Sequence, residues 1–228
     1  MVRQELIAGG AALVGYADLG QIPVDARRDL PRGVAIAVAL DPAIVASLYN
    51  GPTLPYEAEY NRVNALLFAL ASRAAEVIRS CGYRAEAQSS TVAGNDPLAY
   101  RIPLPHKTVA TRAGLGWIGK CALLVSEPYG SAIRLTSVLT DAPLPVGVLV
   151  DESRCGKCDA CVRACPAHAP SGRDWRLGMG RDEFYDARAC CDQASALARG
   201  AGVEEIICGI CIAACPWTKR YLKRQGAL

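Results

Sequence analysis

The residues best suited to chemistry are cysteines near the carboxyl end of the chain. Cys155, Cys158, Cys161 and Cys165 stand in C-x₂-C-x₂-C-x₃-C spacing, and a proline follows the last of them. In a tight loop this spacing aims successive thiolates at one cubane, and in two-cluster ferredoxins the fourth cysteine ligates the other cluster. The spacing therefore predicts [4Fe–4S] clusters and one-electron transfer.

A second, incomplete copy of this pattern lies in "CGICIAACPW", at residues 208–217, which holds three cysteines where a full motif has four. If the two motifs exchange their last cysteines, each cluster draws ligands from both. Cluster one is then held by Cys155, Cys158, Cys161 and Cys215. Cluster two is held by Cys165, Cys208 and Cys211, and its fourth ligand is Cys190 or Cys191.

Zinc is the alternative occupant, because it also binds four cysteines that come in C-x₂-C pairs. Zinc ribbons place such pairs on separate knuckles, whereas a run of four cysteines ending in Cys-Pro is typical of clusters. The other two cysteines, Cys81 and Cys121, adjoin apolar segments and are interpreted as small core residues, although Cys121 could also face a cofactor.

The composition of the 228 residues, 51% hydrophobic and 21% charged, is that of a globular protein. A net charge of +3 gives no argument for nucleic acid as a partner, and no apolar run is long enough to span a membrane. Eleven cysteines, most of them in ligand spacing, favour metal binding in a reducing cytoplasm over secreted disulfides.

The elements that must position these cysteines divide near residue 150, where prolines and a glycine indicate a junction. Residues 1–150 are predicted to form an α+β domain. Residues 151–228 are predicted to form short helices and loops without a strand, stabilised by clusters.

Within the first domain the sequence predicts a helix leading into a strand at the amino end, a buried strand at 33–40 and a helix across 56–82. It also predicts strands at 121–126 and 132–140, which pair as a hairpin around "EPYG".

Three glycines in "GLGWIGK", at residues 114–120, allow a tight turn and the close approach of a flat or anionic group, and Lys120 can meet a phosphate or carboxylate. A purely structural turn explains the same residues. The stretch "ATRAGLGWIGKCALLVSEPYGSAIRLTSVLTDAPLP", together with the cysteine-rich tail, resembles the epoxyqueuosine reductases, corrinoid and iron–sulfur enzymes of tRNA modification, whose wider group includes reductive dehalogenases.

The resemblance implies a nitroreductase-like, mixed-sheet domain that binds a corrinoid at 1–150, followed by a two-cluster, ferredoxin-like domain at 151–228. It implies a bound cobalamin, lined by Gly116, Trp117, Lys120 and Ser131, with Lys107 in a charged pair that precedes the glycine-rich run. The segment "DARAC" also resembles the family's isolated ligand segment, which favours Cys190 over Cys191.

The sequence departs from the family at the proton donor, where an aspartate is usual and Tyr100 stands here. Tyrosine, with a pKa near 10, is a weak acid at neutral pH. The chain also ends before the helical-repeat region of tRNA-acting relatives, so we expect a short form that does not reduce epoxyqueuosine in tRNA.

Two functions remain open at this point. The first is an oxidoreductase that passes electrons through two clusters to a corrinoid for reduction of an unknown substrate. The second is an electron-transfer protein, or a protein that reduces or handles cobalamin, without substrate chemistry of its own. Either would take electrons from a low-potential donor such as ferredoxin or flavodoxin, and would act on a small molecule or a corrinoid protein.

Overall fold

The computed structural model describes residues 1–90 and 101–228, and it has the expected mixture of helices and small sheets. The helices are α1 (Val2–Ala8), α2 (Val24–Arg27), α3 (Pro42–Ala46), α4 (Leu54–Ser80), α5 (His106–Arg112), α6 (Ala160–Ala164), α7 (Ala187–Ala201), α8 (Ile210–Ala214) and α9 (Pro216–Arg224). The strands are β1 (Leu13–Asp18), β2 (Arg32–Ala39), β3 (Ala85–Ala87), β4 (Trp117–Ile118), β5 (Leu124–Val125) and β6 (Ile133–Thr140).

These elements form two compact units. The first comprises residues 1–39, 63–116 and 134–150. The second comprises residues 40–62, 117–133 and 151–228, so it joins the cysteine-rich tail to two earlier segments. The boundary near residue 150 and the two-domain division built on it stay a prediction.

The first unit is built on a four-stranded sheet in the order β1-β2-β6-β3. β1 pairs with β2, and β3 with β6, in antiparallel register. The apolar run of β2 is buried along nearly its whole length, as its lack of alternation predicts. Helix α5 lies against β1 and β2, and a side chain at Gly33 would meet Val109 at 2.8 Å, so only glycine permits this close approach.

The predicted helix across 56–82 is confirmed as α4, and the predicted amino-terminal helix and strand as α1 and β1. The apolar residues that recur in α4 at three- and four-residue steps are buried, among them Val63, Leu67 and Leu70. No helix among the described residues is both long and apolar enough to cross a membrane.

The predicted hairpin between strands at 121–126 and 132–140 is wrong. β5 pairs with β4, whereas β6 belongs to the other sheet. The chain already reverses inside residues 119–123, where the Ala122 amide donates to the Gly119 carbonyl at 2.8 Å and Ala122 has a φ of 58°. The "EPYG" turn does form, closed by a bridge between Ser126 and Gly130, but it leads out of this small sheet.

Residues 151–228 contain helices α6 to α9 and a short 3₁₀ turn but no strand, as predicted. Their packing rests on contact between α6 and α8 and on a small apolar cluster of Ile118, Ala122, Trp175 and Phe184. A core this small is of the kind that bound metal clusters stabilise.

Candidate metal centre

The first notable feature of the second unit is a cavity of about 280 Å³ walled by thiols. Cys155, Cys158, Cys161 and Cys215 all line it. Cys215 belongs to the second motif, so the fold brings a distant cysteine to the first motif. Among the residues that the structure describes, no three metal-binding side chains converge as around a single ion. The thiols are instead spread over the cavity wall.

The loop between Cys155 and Cys158 supplies two of these thiols. It is closed by a hydrogen bond of 3.1 Å from the Cys158 amide to the Cys155 carbonyl, and α6, which carries Cys161, begins just after it. The ammonium of Lys120 donates to the carbonyl of Gly156, inside this loop, at 2.7 Å. Lys120 is only 6% exposed, so the loop is tied to a buried cation.

Cys215 stands at the amino end of α9, with Pro216 as the first helical residue. Its sulfur accepts the backbone N–H groups of Trp217 and Thr218, while burial raises the pKa of its thiol. Amides at a helix amino terminus favour a negatively charged group. This position therefore suits a thiolate that binds iron.

The first turn of α9 is held against the segment after β5. The backbone N–H of Ser131 donates to Thr218 Oγ1 at 3.1 Å, and the two hydroxyls are 3.4 Å apart. A Cβ atom at Gly130 would lie 2.6 Å from the Thr218 Cα, so the two backbones approach as closely as glycine allows. The same turn positions the amides that contact Cys215.

A second group of thiols forms around Cys190. Cys190 lies close enough to Cys165, Cys191 and Cys208 to interact with them electrostatically, and Cys208 interacts with Cys165 in the same way. Burial raises the pKa of the Cys190 and Cys208 thiols. The Tyr185 hydroxyl donates a hydrogen bond to Cys190, and burial raises the pKa of that hydroxyl. Outer-shell donors of this kind orient metal-binding side chains.

Sequence reasoning placed Cys121 among the small core residues and left a cofactor-facing role open. The structure buries Cys121 at 3% exposure on the wall of the cavity, beside the thiols of the first motif. The one signal for this in the sequence is its place directly after Lys120, in the glycine-rich turn.

Three of the residues expected to line a corrinoid have partners inside the second unit. Trp117 is fully buried with its ring 5.1 Å from that of Trp217, Lys120 contacts the cluster loop, and Ser131 contacts Thr218. Lys107 and Gly116 belong to the first unit: Lys107 is in α5, and Gly116 is buried. Their corrinoid role stays a prediction.

Tyr100, the candidate proton donor, lies outside the described residues.

The rim of the cavity is basic and aromatic. The Arg154 guanidinium lies 5.6 Å from the Trp117 ring centre, and that of Arg220 lies 4.5 Å from the Trp217 ring centre. Arg154 also pairs with Glu127 at 2.8 Å, and its side chain is 56% exposed. Each guanidinium is therefore attracted to the face of the neighbouring indole ring.

Comparison with known proteins identifies the cysteine-rich segment. Residues 154–218 match the family described as the 4Fe-4S double cluster binding domain. This match covers both motifs and the segment of Cys190 and Cys191 between them. The chain binds two [4Fe–4S] clusters.

Curated relatives extend the likeness beyond this segment. The epoxyqueuosine reductase of Pseudomonas aeruginosa is 35% identical over 133 residues, which are 54% of this chain and 34% of that protein. The epoxyqueuosine reductase of Salmonella typhimurium is 30% identical over 189 residues, 78% of this chain and 44% of that protein. The resemblance to epoxyqueuosine reductases is confirmed. The chain spans less than half the length of either relative.

Solved structures show a shared fold. A catabolic reductive dehalogenase superposes with a TM-score of 0.72 at 18% identity, covering 97% of this chain and 32% of that one. An epoxyqueuosine reductase superposes with a TM-score of 0.65 at 17% identity, covering 96% of this chain and 64% of that one. The arrangement of helices and small sheets is therefore that of these two groups of proteins.

Proposed function

We propose that this protein is an iron–sulfur oxidoreductase of the epoxyqueuosine reductase type, which passes electrons through its two clusters to a corrinoid. The observation that carries the proposal is the cavity lined by Cys155, Cys158, Cys161 and Cys215. Three of these thiols come from one motif and one from the other. Such an exchange of ligands is the arrangement of two-cluster ferredoxins.

For cluster one we propose those four cysteines as ligands. The chemistry of the site fits a cluster, because Cys215 receives two backbone N–H groups and the first-motif loop is fastened by the Lys120 ammonium. Both features stabilise negative charge on thiolates and cluster sulfur.

For cluster two we propose Cys165, Cys190, Cys208 and Cys211. Cys190 is preferred to Cys191 because Cys165 and Cys208 both lie near it, and because the Tyr185 hydroxyl donates to it. Cys191 follows directly on the same helix and is the alternative ligand.

The proposed electron acceptor is a corrinoid, and the first unit is proposed to have the nitroreductase-like fold that such cofactors use. One reductive dehalogenase with this fold is described in connection with B12-dependent dehalogenation. The buried indole N–H of Trp117 has no hydrogen-bond partner among the described residues. A bound group that accepted this N–H would remove the cost of leaving it unpaired. When bound, a corrinoid would supply a reducible cobalt centre.

The substrate class is proposed to be a small molecule or a corrinoid protein, in place of epoxyqueuosine in tRNA. One solved epoxyqueuosine reductase contains an epoxyqueuosine-modified tRNA stem loop. This chain shares the fold of that protein, and a shared fold does not carry over the tRNA substrate. The alternative, a protein that transfers electrons or reduces cobalamin without its own substrate, is favoured by one observation: Tyr100 stands where the family has an acidic proton donor.

The proposed electron donor is a low-potential ferredoxin or flavodoxin. The exposed guanidinium groups of Arg154 and Arg220 at the cavity rim are suited to a partner with an acidic surface.

The test begins with anaerobic purification, cluster reconstitution and an iron count, which should give about eight iron atoms per chain for two [4Fe–4S] clusters. Cob(II)alamin is then added and followed by electron paramagnetic resonance. Tight binding with loss of the nitrogen splitting from the lower axial base supports the corrinoid.

Three outcomes separate the alternatives. A count of about four iron atoms would refute the two-cluster assignment. The absence of cobalamin binding would refute the corrinoid and leave electron transfer. If cob(II)alamin binds and is reduced, turnover of an epoxyqueuosine-containing stem loop would refute the proposed substrate class.

A further inference from the structure

The second unit buries one cation beside the proposed site of cluster one. Among the residues of this unit that the structure describes, Lys120 is the only lysine or arginine that is buried, with 6% of its surface exposed. It lines the cavity of Cys155, Cys158, Cys161 and Cys215. Taking a charge out of water is costly unless an opposite charge and hydrogen bonds compensate it. The ammonium of Lys120 therefore requires compensating groups nearby.

The protein compensates this ammonium only in part. It donates to the Gly156 carbonyl at 2.7 Å, and among the described residues it forms one ion pair, with Asp174 at 3.8 Å. The carbonyl is a neutral dipole, and the Asp174 side chain is 40% exposed, so water screens its charge. A cluster held by thiolates carries net negative charge. Cluster one would therefore complete the compensation of the Lys120 ammonium.

The other cations that line this cavity are exposed. Arg154 and Arg220 both reach solvent, and the Arg154 side chain is 56% exposed. The effective dielectric constant around an exposed charge is high, so each guanidinium acts on the cavity more weakly than a buried ammonium does. The described part of the second unit buries no lysine or arginine that could serve cluster two in the same way. The two cluster sites therefore differ in electrostatic surroundings.

This difference affects how readily each cluster accepts an electron. Reduction adds one negative charge to a cluster, and a nearby cation stabilises that added charge. Net charge and solvent exposure are among the factors that set the reduction potentials of iron–sulfur clusters. A buried ammonium has a large effect, because the surrounding dielectric constant is low.

We propose that the Lys120 ammonium raises the reduction potential of cluster one, so that cluster one is reduced before cluster two. The inference rests on the proposed function and its ligand assignment. It gives Lys120 an electrostatic role in addition to the hydrogen bond that fastens the loop. Neither the cysteine spacing nor the corrinoid resemblance implies such a role.

The experiment compares the full chain with Lys120→Gln, which keeps a hydrogen-bond donor but removes the charge, and with Lys120→Arg, which keeps both. Lys157→Gln is the matched control, because Lys157 is exposed in the same loop. Each protein is reconstituted anaerobically and its iron content is measured. Both cluster potentials are then determined by redox titration followed by electron paramagnetic resonance.

We expect the reconstituted proteins to have the same iron content. In Lys120→Gln the more positive of the two potentials shifts to a more negative value, and the other potential changes less. Lys120→Arg keeps the wild-type order of the potentials, and Lys157→Gln leaves both unchanged. If Lys120 only held the loop, its substitution would change the rate of iron loss without moving one potential selectively.

A second measurement requires no change at Lys120. The variant Cys190→Ser should lose cluster two and keep cluster one, so its remaining potential belongs to cluster one. That potential should match the more positive of the two wild-type values.

Four results would overturn the proposal. Unchanged potentials in Lys120→Gln at full iron content would show that the charge acts on neither cluster, and equal shifts of both would show that it does not distinguish them. If the glutamine variant does not assemble, a Cys190→Ser potential equal to the more negative wild-type value would refute the order of reduction. A wild-type content of about four iron atoms would instead refute the two-cluster assignment on which the inference rests.

Discussion

Removing the Lys120 ammonium tests how the loop of cluster one is held. Lys120 is 6% exposed and donates to the Gly156 carbonyl at 2.7 Å. Asp174 is 3.8 Å away and its side chain is 40% exposed, so solvent screens that pair and it adds little. A hydrogen bond from a charged donor contributes about 1.5–3 kcal/mol. We expect Lys120→Met to destabilise the closed loop by this amount.

That free energy corresponds to an opening equilibrium increased by about 10- to 150-fold. The assay is the rate at which anaerobic, reconstituted protein loses iron to an excess of chelator, read from the cluster absorbance. If loop opening precedes iron loss, the rate rises by the same factor. Lys120→Gln, which keeps a neutral donor, should give an intermediate rate.

The matched control is Lys157→Met, because Lys157 lies in the same loop but is exposed. Equal rates of iron loss in Lys120→Met and Lys157→Met would refute the reasoning, since the buried hydrogen bond would then contribute nothing to the loop.

Three further predictions concern other parts of the chain. Cys190→Ser should halve the iron content, whereas Cys191→Ser should retain it. Gly130→Ala should cost more than about 2 kcal/mol, since φ is 58° and the new methyl group would press on the Thr218 backbone; a lower midpoint of chemical denaturation would show this. Burial lowers the pKa of His106 from its usual 6.5. The contribution of neutral His106 to the free energy of unfolding is therefore fully present above pH 6.5 and is lost as the pH falls towards the lower pKa of the folded state. The variant His106→Gln should make the free energy of unfolding less dependent on pH in this range.

Each of these has its own control. Gly178→Ala introduces the same left-handed strain in open space, since φ is 84° and nothing lies within 4 Å. If Gly178→Ala lowered the free energy of unfolding as much as Gly130→Ala does, the contact of Gly130 with α9 would be unimportant. For His106, denaturation at neutral pH and at about pH 5 is compared in both proteins, and parallel losses would contradict the assignment. Iron lost from Cys191→Ser alone would reverse the ligand choice.

Local patterns were sufficient for several elements and for the cluster chemistry. The continuous apolar run of β2 and the three- and four-residue steps of α4 can be recognised without knowing their packing partners. A strand buried on both faces is apolar throughout, and a helix with one buried face is apolar at three- and four-residue steps. The spacing of Cys155, Cys158 and Cys161 is likewise local, since one loop and one turn of helix place them together.

Pairing across the chain was harder to predict. The segments at 121–126 and 132–140 fit a hairpin pattern. In the structure β5 pairs instead with β4, because a tight turn at residues 119–123 already brings these two strands side by side. Strand propensity shows which residues extend and does not specify which strand they join.

By itself the sequence determined that two iron–sulfur motifs are present and which cysteines belong to them, because ligand spacing is encoded over a few residues. Only the tertiary structure decided that Cys215 shares a cavity with Cys155, that Lys120 fastens the cluster loop, and that Cys121 lines the same cavity. These are contacts between segments far apart in the chain, and packing of the whole second unit selects them.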